Sequence, residues 1–183
     1  ALGFFVRTGA RDESPEEAGV SHFLEHMLFK GTPSRSAIDI NLELGNLGAQ
    51  ANAFTSEENT VYYSAIIPEN FRKMHELLSD MMRPLLDPQE FDMEKKVILE
   101  EIALYQDRPH YFLFENAFKH FFGAHPAGNS VLGTHASVSG ITRDAMKQYF
   151  VRRYSPSNMV LAATGNFSWE SFLEDAEQLS GAW

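Results

Sequence analysis

His22-Phe23-Leu24-Glu25-His26 lies in Ala18–Phe29, a run with no helix breaker after Gly19. At about 3.6 residues per turn, His22 and His26 fall one turn apart on one face, with Glu25 beside them. Ala18 and Gly19 continue that face with almost no side chain, and Val20, Phe23, Leu24, Met27 and Leu28 fill the others. A helix that is apolar nearly all round is a buried helix. Two histidines and a carboxylate inside it are costly unless something uses them. Two imidazoles at i, i+4 can hold one Zn²⁺, and a neighbouring carboxylate can act on water there. The order inverts that of H-E-x-x-H. The plainer reading is a core helix with hydrogen-bonded histidines, and five residues alone leave both open.

A zinc centre that does chemistry takes three protein ligands, so the third must come from another buried face. Asp87-Pro88 opens a long helix to about Asp107. At about 100° per residue, Glu94, Val97, Ile98, Glu101, Leu104 and Tyr105 share one face of it, and Lys96, Glu100, Ala103 and Asp107 share the opposite one. The first face is apolar apart from its two acids. Glu94 and Glu101 are therefore expected to point inward and Glu100 outward. Two inward acids need a cation or a donor. A metal shared with the histidines would satisfy Glu101, and Glu94 could orient a ligand or the water. Arginine or backbone N–H partners for both acids are the alternative.

Working outward, Ala1–Thr8 reads as a strand closed by Gly9. Ser14-Pro15-Glu16-Glu17 is a helix start: a cap, a first-turn proline and acids at the positive end. The histidine helix stops at Gly31-Thr32-Pro33, and Ser34 or Ser36 opens another, ended near Leu47 by Gly48. Gly48–Phe54 and Thr60–Ile67 read as a hairpin across Ser56–Asn59. Pro68 starts an amphipathic helix to about Arg83, with His75 on its surface. Tyr111–Phe122 is an aromatic helix, Ala124–Gly140 a long loop, and Thr142 caps a helix to about Tyr154. Ser157–Thr164 is an apolar strand, and Ser168 caps a last helix. This order predicts one α+β domain over residues 1–183, a mainly antiparallel sheet with helices packed on one face.

The 183 residues carry a net charge of −10 with neutral histidine, which argues against nucleic acid and anionic membrane as partners. There is no cysteine, hence neither a disulfide framework nor thiol chemistry. No apolar run reaches the length of a membrane span, and no signal peptide is visible. Starting without Met and already in a strand, the chain reads as cut from something longer.

His22-Phe23-Leu24-Glu25-His26, followed 75 residues after His26 by Glu101 in Glu94-Lys95-Lys96-Val97-Ile98-Leu99-Glu100-Glu101, resembles the zinc peptidases of the pitrilysin family. That family of inverzincins includes insulin-degrading enzyme and the mitochondrial processing peptidase. The resemblance extends through Phe29-Lys30-Gly31-Thr32, Gly48-Ala49-Gln50-Ala51-Asn52-Ala53-Phe54-Thr55 and Gly133-Thr134, in the right order. It implies that His22, His26 and Glu101 bind one zinc ion per chain. It makes Glu25 the general base that takes a proton from the activated water and hands it to the leaving amine. Glu94 matches the acid that precedes the third ligand. Asn52-Ala53-Phe54 matches the edge strand to which an extended peptide substrate adds.

Family members are clamshells of two similar halves, so the resemblance also implies a partner: a C-terminal half, or a homologous subunit, that completes the chamber. The short, processing-peptidase-like branch is common in bacteria, which implies the cytoplasm, or the mitochondrial matrix in a eukaryote. A non-catalytic structural homologue that binds partner proteins, as the respiratory-chain core proteins are, is the alternative. The intact motif weighs against it. S-ribosylhomocysteine lyase shares the H-x-x-E-H pair but uses a cysteine, which this chain lacks.

Overall fold

The computed structural model describes residues 1–183. Strand β1 (Leu2–Val6) opens the chain, and helix α1 (Val20–Met27) follows. Then come α2 (Ala37–Leu47), β2 (Gln50–Thr55), β3 (Thr60–Ala65) and α3 (Phe71–Met81). The longest helix, α4 (Pro88–Gln106), leads to α5 (Pro109–Phe122), a short α6 (His135–Gly140) and α7 (Arg143–Arg153). Strand β4 (Met159–Ala163) and α8 (Trp169–Ser180) close the order. No helix is long and apolar enough to cross a membrane.

The strands form one antiparallel sheet in the order β2-β3-β1-β4. Leu2 pairs with Ser64 on one side and Ala163 on the other, so β1 is central. Successive side chains alternate faces. Leu2, Phe4, Val6 and Tyr62 point into the core under the helices, whereas Phe5 and Tyr63 are about 40% exposed (43% and 39%) on the other face. The expected architecture, helices over one face of an antiparallel sheet, is what the chain adopts.

Helix α1 is the middle of the core. Seven of its eight residues are buried. Phe23 stacks on Phe91 of α4 with centroids 4.7 Å apart. Leu24, Met27 and Leu28 belong to one buried cluster with Met74, Leu77, Leu78 and Met81 of α3. Each such side chain contributes about 1.5–3 kcal/mol by leaving water. That burial, rather than helix propensity, holds so short a helix, since an isolated one would not persist.

Four local expectations are corrected. Ser14 opens only a 3₁₀ turn, Pro15–Glu17; the chain then bends at Gly19, whose φ of 92° suits glycine, and α1 begins at Val20. A short helix, α6, interrupts the expected loop, capped by the Thr134 hydroxyl, which accepts from the Ser137 N–H. Val97 and Leu104 are exposed, because the packed face of α4 runs through Phe91, Glu94, Ile98 and Ile102. His75 is fully buried against Phe172 of α8, with both ring nitrogens unpaired. Burial lowers its pKa. The six remaining histidines divide simply: His110, His120, His125 and His135 are exposed, and His22 belongs to the site with His26.

After α1, the turn Gly31–Ser36 returns the chain toward α2 and is pinned by Asp80 of α3. Its carboxylate accepts from the Thr32 hydroxyl (2.6 Å), the Ser34 hydroxyl (2.8 Å) and the Arg35 guanidinium (2.9 Å). Burial pushes the Asp80 pKa up, but the donors of Thr32, Arg35 and Ser34 together outweigh it and hold it below the usual value of 3.8. A folded-state pKa below the unfolded one stabilises above the unfolded value and is lost as pH falls through the folded one. Asp80→Asn should therefore cost about 1–3 kcal/mol at pH 7, and its difference from wild type should shrink below pH 3.8. Urea unfolding of both proteins across that range measures it.

Candidate metal centre

His22 and His26 project from one face of α1, their ring centroids 4.6 Å apart. Their Nε2 atoms are 3.2 Å apart. Glu101 reaches across from α4 and sets Oε2 at 3.8 Å from each Nε2. The three donor atoms lie within 4.8 Å of one another. Ligands on one tetrahedral zinc, at about 2.0 Å from it, stand about 3.3 Å apart. The donor set, two imidazoles and a carboxylate, is also one that zinc takes. Where both nitrogens carry lone pairs and face a carboxylate oxygen, they repel unless a cation or a proton lies between them. On distance and on chemistry, the residues fit a zinc ion. Glu100 is exposed, on the opposite side of α4.

The two histidines are shifted in opposite directions. Burial lowers His22 to about 4, the charge of His26 adds to this, and Glu94 opposes it weakly; His22 is a neutral imidazole at pH 7. Burial would lower His26 as well, but Glu94, Glu25 and Glu101 raise it. Glu94 does most of this: its Oε1 stands 2.7 Å from His26 Nδ1. A carboxylate there accepts a hydrogen bond from Nδ1–H, which in the neutral ring leaves Nε2 as the bare nitrogen. The other oxygen, Oε2, meets Lys30 Nζ at 2.6 Å. Burial raises Glu94, yet His26 and Lys30 bring it below the usual carboxylate value, so it is an anion only 4% exposed. Glu94 thus orients a histidine and does not join the donor set. His22 Nδ1 is buried without a partner.

Glu25 stands apart from these donors. Its Oε2 accepts from the hydroxyl of Thr55 at 2.6 Å. Burial, with Glu101 adding, raises its pKa against the lowering by Thr55 and His26. Thr55 ends β2, an edge strand: β3 pairs with one side and no strand with the other. Asn52 and Phe54 turn to the open face of the sheet and Ala53 is half-buried. The centre opens on a cleft of about 1120 Å³ whose walls include Ala53 and Phe54 on one side and Tyr105, Tyr111 and Phe114 of α4 and α5 on the other.

Four residues that sequence reading did not single out serve this centre. Thr55 holds Glu25, and Lys30 holds Glu94. Glu13, 8% exposed, accepts the backbone N–H groups of Gly19 and Ser21, each at 2.7 Å. Burial pushes Glu13 up to about 7 in spite of those bonds. Tyr149 of α7 stands 2.7 Å from the Ser21 hydroxyl and 2.7 Å from that of Thr8. Lys30, on the exit turn one helical turn beyond His26, had the only sequence signal: a cation placed to answer an inward acid.

Residues 1–135 match the family described as Insulinase (Peptidase family M16), and residues 140–183 match that described as Peptidase M16 inactive domain. The sheet runs through both, since β4 pairs with β1. The uncharacterized zinc protease YmxG of Bacillus subtilis is 38% identical over 184 residues, covering 100% of this chain and 45% of that protein. An uncharacterized zinc protease of Mycobacterium tuberculosis is 40% identical over 167 residues, covering 91% of this chain and 38% of that protein. This chain therefore spans less than half the length of these curated relatives. Among solved structures, a protease from Helicobacter pylori superposes with a TM-score of 0.93 at 25% identity over 98% of this chain and 44% of that one. An M16-like peptidase from Alicyclobacillus acidocaldarius gives 0.88 at 27% over 100% and 44%. Motif, fold and relatives agree, and the chain belongs to the insulinase family of peptidases, M16.

Proposed function

We propose that this chain is the zinc-binding half of an endopeptidase that cleaves extended or unfolded peptides, with one zinc ion per chain held by His22, His26 and Glu101. The observation that carries the reading is the convergence of those three donor atoms beside a separate buried carboxylate, Glu25, on the wall of an open cleft. The name zinc protease borne by relatives supports the choice of metal. Zinc bound there supplies a Lewis acid that acidifies water and polarises a carbonyl.

The chain's own residues do the rest. Glu25 takes a proton from the attacking water and passes it to the leaving amine. Its raised pKa brings it nearer neutrality, where a group can both accept and return a proton. The Thr55 hydroxyl occupies one Glu25 oxygen and fixes the carboxylate's orientation. Glu94, itself pinned by Lys30, keeps His26 with Nε2 toward the donor cluster. The free edge of β2 at Asn52-Ala53-Phe54 pairs with an extended peptide through main-chain hydrogen bonds, which tolerates many sequences. A second half, covalent or a separate subunit, closes the chamber over it.

Elemental analysis of the purified chain should find one zinc in wild type and in Glu100→Ala and none in Glu101→Ala; zinc retained in Glu101→Ala would remove the ligand assignment. In the complete protein, Glu25→Gln should keep zinc and lose cleavage of a fluorogenic peptide by about 10²–10⁴-fold, while His22→Ala loses both. Full cleavage by Glu25→Gln would sink the peptidase reading and leave a binding homologue. Glu94→Gln should weaken zinc affinity by about 10–100-fold, as loss of a histidine's orienting partner does, measured by chelator competition.

A further inference from the structure

We propose that Glu13 is a positioning residue for the metal centre: its carboxylate, together with the Tyr149 hydroxyl, sets the rotation of α1 through Ser21. The proposal rests on the zinc reading above and goes beyond it to what holds the two histidines in place.

A helix leaves its first N–H groups without partners, and the residue before it commonly supplies a capping side chain. In α1 that residue is Gly19, which has none. Glu13 does the work from six and eight residues upstream, accepting from Gly19 and Ser21. Its acceptor oxygens also face the positive end of the helix dipole. Ser21, immediately before His22, is held a second time through its side chain, by Tyr149. Burial raises Tyr149 to about 12, so its hydroxyl keeps its proton and bridges Ser21 to Thr8. Gly133 closes the bend from outside: a Cβ there would stand 2.4 Å from the Ala18 carbonyl oxygen.

One hold on a helix end would suffice to start the helix. Two holds on Ser21, one on its N–H and one on its hydroxyl, also fix the angle about the helix axis. That angle matters because the histidine nitrogens lie well out from the axis, and a turn of about 10° carries them about 1 Å. Misplacement by about 1 Å is enough to cost about 10²-fold in rate. Apolar packing alone tolerates small rotations, since hydrophobic burial is not directional.

The test uses Glu13→Gln and Tyr149→Phe in the complete protein. Four quantities are read: zinc affinity, the visible spectrum after cobalt substitution, kcat and KM separately, and Tm. Glutamine keeps the shape but turns an NH₂ toward one of the two backbone donors. Glu13→Gln should weaken zinc binding about tenfold or more, shift the cobalt bands and lower kcat at least tenfold with KM within twofold. Tyr149→Phe should act in the same direction, and the double variant should fall short of the sum, since both act through Ser21. A lower Tm with unchanged cobalt bands, zinc affinity and kcat would show a merely structural role and overturn the proposal. If Glu13→Gln does not fold, Ser21→Ala, which removes only the hydroxyl hold, is read by the same criteria. His22→Ala separates the two claims. If it keeps the metal, the zinc reading fails and the proposal falls with it. If it loses the metal while Glu13→Gln leaves the bands unmoved, this proposal alone fails.

Discussion

Burying polar side chains in α1 is the constraint from which the rest of the site follows. The helix packs on nearly all sides, yet it carries His22 and Glu25 buried and His26 partly buried. Each must be answered by another group, because an unanswered polar atom in a dry interior costs about 1–3 kcal/mol and a charge more. The answers come from around the fold: Glu94 and Glu101 from α4, and Thr55 from the end of β2. Other elements are where they are partly because they deliver these partners. Helix α4 lies along α1 so that two acids, seven positions apart on one helix, reach both ends of a single histidine.

Four glutamates in this small region show how environment assigns role. Glu94 is paired with Lys30 and His26 and stays ionised although almost wholly buried. Glu25, with one hydroxyl donor and a neighbouring acid, is pushed toward neutrality. Glu101 sits half-exposed at the cleft edge, free to turn toward a cation. Glu13 is spent on backbone donors. In the proposed centre one side-chain type thus supplies an orienting anion, a proton carrier, a ligand and a helix cap, and only the surroundings differ.

Much of this was legible in the chain because it is local or periodic. The spacing of His22, Glu25 and His26 and the opposed directions of Glu100 and Glu101 follow from helical geometry. So do the caps at Ser36, Asp87, Thr142 and Ser168, each of which accepts the N–H bonds expected of it. The rest depends on contacts between distant residues. Tyr149 reads as one more aromatic in a helix until the fold carries it to Ser21. His75 reads as a surface histidine because nothing local announces that α8 will cover it. Val97 and Leu104 read as core because the packed face of α4 turns by a fraction of a residue toward Ile98 and Ile102. Such small rotations depend on neighbours, which periodicity does not encode.

The place of β1 in the sheet bears on how the molecule is made. It is synthesised before β3 and β4 and sits between them, so its second edge waits for a partner up to 161 positions later. At about 5–20 residues per second, that wait is roughly 10–30 s. Over that interval α1 has emerged with its histidine pair, but Glu101 and then Tyr149 are still to come. The growing chain holds the two histidines of the proposed centre before it holds Glu101, or the tyrosine proposed to help aim them. Assembly of the centre therefore waits on segments made well after α1, and the apolar faces of β1 and α1 stay uncovered until those segments close on them.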